Sequence, residues 1–147
     1  MTSSKDYYRS DDEIETVLAG FESCAIAPAN FTHGAHLLVA FSYLQVSRLT
    51  VEGALERMRA GLYRYLEHQG VERQKYNETI TLFWIKRVRG FLDKTDNART
   101  LADLANEMTL ACGGSQVIYD YYTREHLSSD QARNEWVEPD IKALDFI

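Results

Sequence analysis

The chain has 147 residues, enough for one hydrophobic core, and this length favours a single domain. With 45% hydrophobic and 26% charged residues, its composition is typical of a globular protein and argues against disorder. The formal charge of −6 disfavours nucleic acid and anionic membranes as general partners.

Neither cysteine belongs to a disulfide or metal-binding motif. Cys24 and Cys112 are far apart, and no CxxC or Cys/His cluster surrounds either of them, so both are expected to be reduced. The N-terminal stretch MTSSKDYYRSDDE lacks the apolar segment of a secretory signal. The longest apolar run, LLVAFSYL, has about half the length needed to cross a bilayer. We therefore expect a cytoplasmic protein with no membrane association.

The first helix is predicted to follow a loose N-terminal arm, residues 1–9. Ser10 and the acidic residues after it form a capping box, which is typical of a helix N-terminus. Apolar residues then recur at helical spacing from Ile14 to Phe21, and Pro28 ends this segment.

The second predicted helix, within FTHGAHLLVAFSYL, begins with two histidines. Thr32 is expected to cap it, and His33 and His36 are three residues apart, which places them on one face with Cβ atoms about 5–6 Å apart. The partial positive charge of a helix N-terminus favours neutral imidazole, the form that binds metals or accepts a proton. A packing role is the alternative, because a histidine at the edge of a core is commonly a hydrogen-bonded packing residue.

Two longer helices are predicted next. Thr50 caps the third, which Gly70 ends, and Asn77 caps the fourth, which begins with Glu78. Glu78 starts an apolar stripe just as the histidines do, although a first-turn acid stabilised by the helix dipole is the alternative. The apolar stripes predict these positions in the main core: Leu37, Ala40, Leu55, Leu62, Leu82, Ile85 and Leu104.

The last part of the chain is predicted to hold shorter helices. Thr100 begins a fifth helix, and Gly113-Gly114 breaks the chain before two or three short helices in residues 115–147. The tail is expected to be anchored by Ile141, Leu144 and Phe146. Because no strand-type alternation occurs, we predict an all-α fold, a single-domain helical bundle of about five main helices plus short C-terminal helices.

Three segments, FTHGAHLLVAFSYL, KYNETITLFWIKRV and SSDQARNEWVEPDIKAL, resemble a family of small bacterial all-helical proteins of uncharacterised function. The resemblance implies an F-T-H-x-x-H-L element, present here from Phe31 to Leu37, and a Y-H-E-T-x-T element. In the second element Asn77 replaces the expected histidine, and an altered or lost family activity would follow if that imidazole acted as a ligand or base.

Two functional hypotheses follow. In the first, His33, His36 and Glu78 meet in a polar pocket and act as catalytic residues or hold a divalent metal such as zinc or iron. The substrate-binding residues would then be Tyr76, Asn77, Thr79 and Thr81. In the second, the protein is a non-catalytic module that binds a small molecule or a partner, and the His/Glu cluster is a structural hydrogen-bond network. A homodimer is compatible with both hypotheses.

Overall fold

The computed structural model describes residues 8–147 and confirms the all-α prediction, since this part of the chain contains helices and no strand. Its main helices are α1 (Asp11–Glu22), α2 (His33–Phe41), α3 (Val51–His68), α4 (Glu78–Lys94) and α5 (Leu101–Cys112). Short α6 (Arg124–Leu127) and α7 (Asp130–Asn134) follow. None of the described helices is both long and apolar enough to cross a lipid bilayer.

Short irregular helices link these elements. Segments Pro28–Asn30, Arg73–Lys75 and Ser115–Asp120 are 3₁₀ helices, and α2 continues directly into a π-helical turn, Ser42–Val46. The continuation extends the histidine helix to Val46. The link before α4 and the link after α5 both contribute residues to the wall of a cavity.

The predicted N-caps are confirmed at all five main helices. At each one, a side-chain oxygen accepts a hydrogen bond from the backbone N–H three residues later, which satisfies one of the helix's unpaired donors. The capping residues are Ser10, Thr32, Thr50, Asn77 and Thr100. These local signals fix where each helix begins, and therefore which residues occupy its first turn.

Helix α4 is the centre of the bundle and packs against α2, α3, α5 and α7. It is therefore buried over most of its circumference, with Phe83, Ile85 and Val88 fully enclosed. The prediction that Leu82 is a core residue is wrong, because Leu82 is only partly buried. At helical spacing Leu82 shares its face with Lys86, Arg89 and Asp93, which is the polar side of α4.

The other predicted core positions divide into two groups. Fully buried are Leu37, Ala40, Ile85 and Leu104. Leu55 and Leu62 are partly buried and pack against the core from its edge. Leu62 is incompletely covered because it borders a cavity.

Part of the predicted N-terminal arm is held on the bundle. Residues 1–7 lie outside the described residues, but Tyr8 is buried. Its backbone N–H donates to Oδ1 of Asn106, and its carbonyl accepts from Nδ2 of Asn106, both at 2.7 Å. The described end of the arm is therefore fixed to α5.

The C-terminal tail folds back onto α4 through rings and backbone groups. Phe146 contacts Phe83 and Tyr121 edge-on, with ring centroids 5.5 and 5.6 Å apart. Leu144 also packs against the core. Ile141 does not anchor the tail with its side chain, which is 52% exposed; its backbone N–H instead donates to the carbonyl of Tyr121. The tail thus covers one side of the central helix.

Candidate functional site

A cavity of about 500 Å³ lies among α2, α3, α4 and the 3₁₀ segment Ser115–Asp120. Its walls are mostly apolar and come from Ala40, Met58, Leu62, Leu66, Ile80, Trp84, Ile85, Ile118 and Tyr119. The polar residues around it are His33, His36, Lys75, Tyr76, Asn77, Thr81 and Ser115. A concave, mainly apolar space with a few polar groups is the usual form of a small-molecule site.

His36 presents one ring nitrogen that makes no described hydrogen bond. Its Nδ1 lies 3.0 Å from the carbonyl oxygen of Thr32, and because a carbonyl only accepts, Nδ1 carries the proton. In the neutral ring, Nε2 is then an acceptor. The ring stacks on Phe31, with centroids 3.8 Å apart, so its orientation is fixed by packing as well as by the hydrogen bond.

Partial burial favours the neutral form of the His36 ring. Loss of solvation lowers its pKa below the usual value, and the nearby His33 lowers it further, against a smaller opposing effect of the hydrogen bond to Thr32. The position in the first turn of α2 acts in the same direction, since the helix dipole disfavours a cation there. His36 is therefore a neutral hydrogen-bond acceptor facing an apolar cavity.

His33 has the opposite tautomer. Its Nε2 lies 3.0 Å from the carbonyl oxygen of Gly113 and must donate to it, which leaves Nδ1 as the acceptor in the neutral ring. The ring edge packs against Trp84, with centroids 4.4 Å apart. Burial lowers the pKa of His33 and outweighs the effect of the Gly113 hydrogen bond, which raises it. The hydrogen bond from His33 to the carbonyl of Gly113 joins α2 to the Gly113-Gly114 break after α5.

Glu78 does not line the cavity, contrary to its predicted place beside the histidines. Its carboxylate accepts from Nε of Arg59 at 3.0 Å and from Nη2 of Arg59 at 2.5 Å, a two-point ion pair between α3 and α4. The hydroxyl of Tyr76 also donates to Glu78. Burial raises the pKa of Glu78, but the bonds from Arg59 and Tyr76 outweigh it and lower the pKa overall. Glu78 is thus an anion committed to neighbouring residues.

Of the four residues predicted to bind substrate, three line the cavity and one does not. Tyr76, Asn77 and Thr81 line the cavity, and the hydroxyl of Tyr76 is held by Glu78. Asn77 is committed to structure, because its Oδ1 caps α4 and its Nδ2 donates to the carbonyl of Leu127. The hydroxyl of Thr81 donates to the carbonyl of Asn77.

Thr79 does not line the cavity and is fully buried on the opposite packing face of α4. Its hydroxyl lies 2.8 Å from the carbonyl of Ala132 and 2.9 Å from that of Glu135, and it accepts from the N–H of Val137. The assignment of Thr79 to substrate binding is therefore replaced by a structural role, since its hydroxyl fastens the α7 region to α4.

The ligand set predicted for a divalent metal is not formed. Among residues 8–147, no group of three or more His, Cys, Asp or Glu side chains is placed to hold a metal ion. The predicted third ligand, Glu78, has both oxygens bonded to the Arg59 guanidinium, which already compensates its charge. The residues present do not fit the zinc or iron site that the spacing of His33 and His36 predicted.

Sequence reasoning missed several residues of this site. Lys75 lies in a link without helical periodicity, and Ser115, Ile118 and Tyr119 lie in the segment after Gly113-Gly114. Tyr119 belongs to a Tyr-rich stretch, and an excess of Tyr is a signal for pocket walls because the ring is apolar and its hydroxyl polar. No comparable local pattern marks Lys75.

Comparison with known proteins adds no relative: no family model, curated protein or solved structure matches the chain. The resemblance to a bacterial helical family, through an intact F-T-H-x-x-H-L element and a second element in which Asn77 replaces the histidine, stays a prediction.

Proposed function

We propose that the cavity binds a small, largely apolar molecule through one hydrogen-bond donor that reaches Nε2 of His36. The observation that supports this most strongly is a neutral, oriented imidazole on the wall of a 500 Å³ apolar cavity. Specific small-molecule sites have volumes of about 300–1,000 Å³ and combine apolar walls with few polar groups.

The surroundings of His36 also support binding, because the groups that shape the cavity are held before any ligand arrives. The ring of His36 is fixed by Phe31 and Thr32, and Tyr76 is fixed by Glu78. A preorganised site loses less conformational entropy when it binds. In this proposal the Glu78–Arg59 pair is a support of the cavity wall and has no contact with the ligand.

General-base catalysis is a second candidate, favoured by the same tautomer of His36. A histidine whose Nδ1–H is held by an acceptor and whose Nε2 faces a substrate has the arrangement of a general base. Here the acceptor is the Thr32 carbonyl. In this candidate, His36 removes a proton from the donor group that it otherwise only binds.

Isothermal titration calorimetry with 1-naphthol and 1-methoxynaphthalene tests the proposal. The two probes share an apolar body, but only 1-naphthol donates a hydrogen bond. We expect both to bind, and 1-naphthol to bind roughly 2- to 10-fold more tightly, as expected for one net hydrogen bond. His36→Phe should remove this difference because it removes Nε2.

His68→Phe is the matched control, since His68 is exposed at the end of α3 and does not line the cavity. It should leave both affinities unchanged. Absence of binding by both probes contradicts the proposal, and so does a preference for 1-naphthol that persists in His36→Phe.

A further inference from the structure

A second, smaller cleft of about 250 Å³ adjoins the cavity. The two spaces are neighbours, because four residues line both of them: Lys75, Asn77, Ile80 and Tyr119. The cleft is otherwise formed by Gln74 and by side chains from α6 and α7 with the residues between them. A ligand bound in the cavity therefore lies beside the cleft.

The cleft is cationic. Lys75, Arg124 and Arg133 line it, and among residues 8–147 no Asp or Glu side chain lines either the cleft or the cavity. Arg133 donates to Asp130 and to the carbonyl of Ser128, so its charge is partly compensated. This concentration of positive charge occurs in a chain whose formal net charge is −6.

Two of these cations have no anionic partner in the described part of the chain. Lys75 forms no ion pair or side-chain hydrogen bond there. Arg124 is exposed and lies over the ring of Tyr119, 4.1 Å from its centroid, which orients the guanidinium; its N–H groups make no hydrogen bond to the described part of the protein. Because Tyr119 also lines the cavity, it links the apolar wall to this cation.

We infer that the ligand is an amphipathic organic anion, whose apolar body occupies the cavity and whose carboxylate or phosphate is bound by Lys75 and Arg124. This inference rests on the proposed function and specifies its ligand class. Guanidinium and ammonium groups form charge-assisted hydrogen bonds with both kinds of anion, and these bonds are stronger than neutral ones.

The test uses four probes with the same naphthalene body: neutral 1-methylnaphthalene and 1-naphthol, and anionic 1-naphthoate and 1-naphthyl phosphate. Calorimetry at low ionic strength should show at least one anion binding about tenfold or more tightly than 1-methylnaphthalene, with an advantage that declines as salt is added. Whichever anion binds more tightly identifies carboxylate or phosphate as the preferred group.

Lys75→Met and Arg124→Met should each reduce the advantage of the anion over 1-methylnaphthalene, and Arg124→Met, whose site lies outside the cavity, should leave the affinity for 1-naphthol unchanged. Lys94→Met is the control, because it removes the same charge at the end of α4, away from both spaces. If 1-naphthol binds but neither anion exceeds 1-methylnaphthalene, the inference is overturned and the proposed function is retained. If no probe binds, both are overturned.

Discussion

Replacing Thr79 with Val tests the structural role that the fold assigns to this residue. Valine keeps the shape of the side chain but removes its hydroxyl, so the carbonyl of Ala132 and the N–H of Val137 lose their bonds to residue 79 in a buried environment. Each buried polar group without a partner costs about 1–3 kcal/mol. Two such groups, with partial relaxation of the structure around them, give an expected total loss of about 2–4 kcal/mol.

Urea unfolding at pH 7.5 measures this loss as the change in free energy of unfolding. Thr79→Ser keeps the hydroxyl and should cost only about 1 kcal/mol for the buried methyl group. Thr81→Val should cost less than about 1 kcal/mol, because the carbonyl of Asn77 that accepts from this hydroxyl also accepts a backbone N–H. A loss below about 0.5 kcal/mol for Thr79→Val would refute the assigned role.

Three further predictions concern the fold and its pH dependence. Leu82→Ala should cost less than about 1 kcal/mol in urea unfolding and Phe83→Ala about 3–5 kcal/mol; the reverse order would contradict the assigned buried face. Gly90→Ala places a Cβ against the carbonyl of Phe146, so it should detach the C-terminal tail and expose it to limited proteolysis; unchanged proteolysis contradicts this contact. The pKa of His36 is lowered in the folded state, so below about pH 6.5 the unfolded chain binds a proton at this residue more readily than the folded protein does. The free energy of unfolding should therefore fall as pH decreases. His36→Phe should make the fall between pH 7.5 and 5.5 shallower by at most about 1.4 kcal/mol per pH unit, and an unchanged slope in urea unfolding contradicts the buried neutral state.

The sequence predicted the helices well because their limits are set locally. A cap such as Thr32 or Asn77 acts on an N–H only three residues away, so its signal is contained in a few adjacent letters. Helical spacing likewise predicted that Leu37 and Ala40 of α2 are buried, although burial in the structure extends around the helix to Leu38, Val39 and Phe41. Such features do not require knowledge of which helices are neighbours.

The buried face of α4 was harder to predict because this helix has several neighbours. Apolar residues occur around most of its circumference, and the pattern permits more than one choice of core face. Leu82 fits an apolar stripe with Ile85, but the packing of α2, α3, α5 and α7 around the helix leaves the Leu82 side for solvent. The choice is made by tertiary contacts.

Only part of the candidate site could be predicted, because tertiary contacts also decide which of its residues face the cavity. The two histidines reach one cavity because three-residue spacing fixes them on one face of α2. The role of Glu78 is set by its ion pair with Arg59, which lies 19 residues earlier in another helix. The role of Thr79 is set by its hydrogen bond to Ala132, 53 residues later. Spacing within a segment carries no information about such partners, so it could not separate a ligand-binding group from a structural one.

Mapping of bound 1-naphthol by NMR tests the central claim most directly. With methyl groups labelled, saturating 1-naphthol should shift the resonances of Leu62, Ile80 and Ile118, which line the cavity. The methyl groups of Val46 and Leu110, which are exposed and outside the cavity, should stay unchanged. Shifts at Val46 or Leu110 without shifts at the cavity methyl groups would contradict the account.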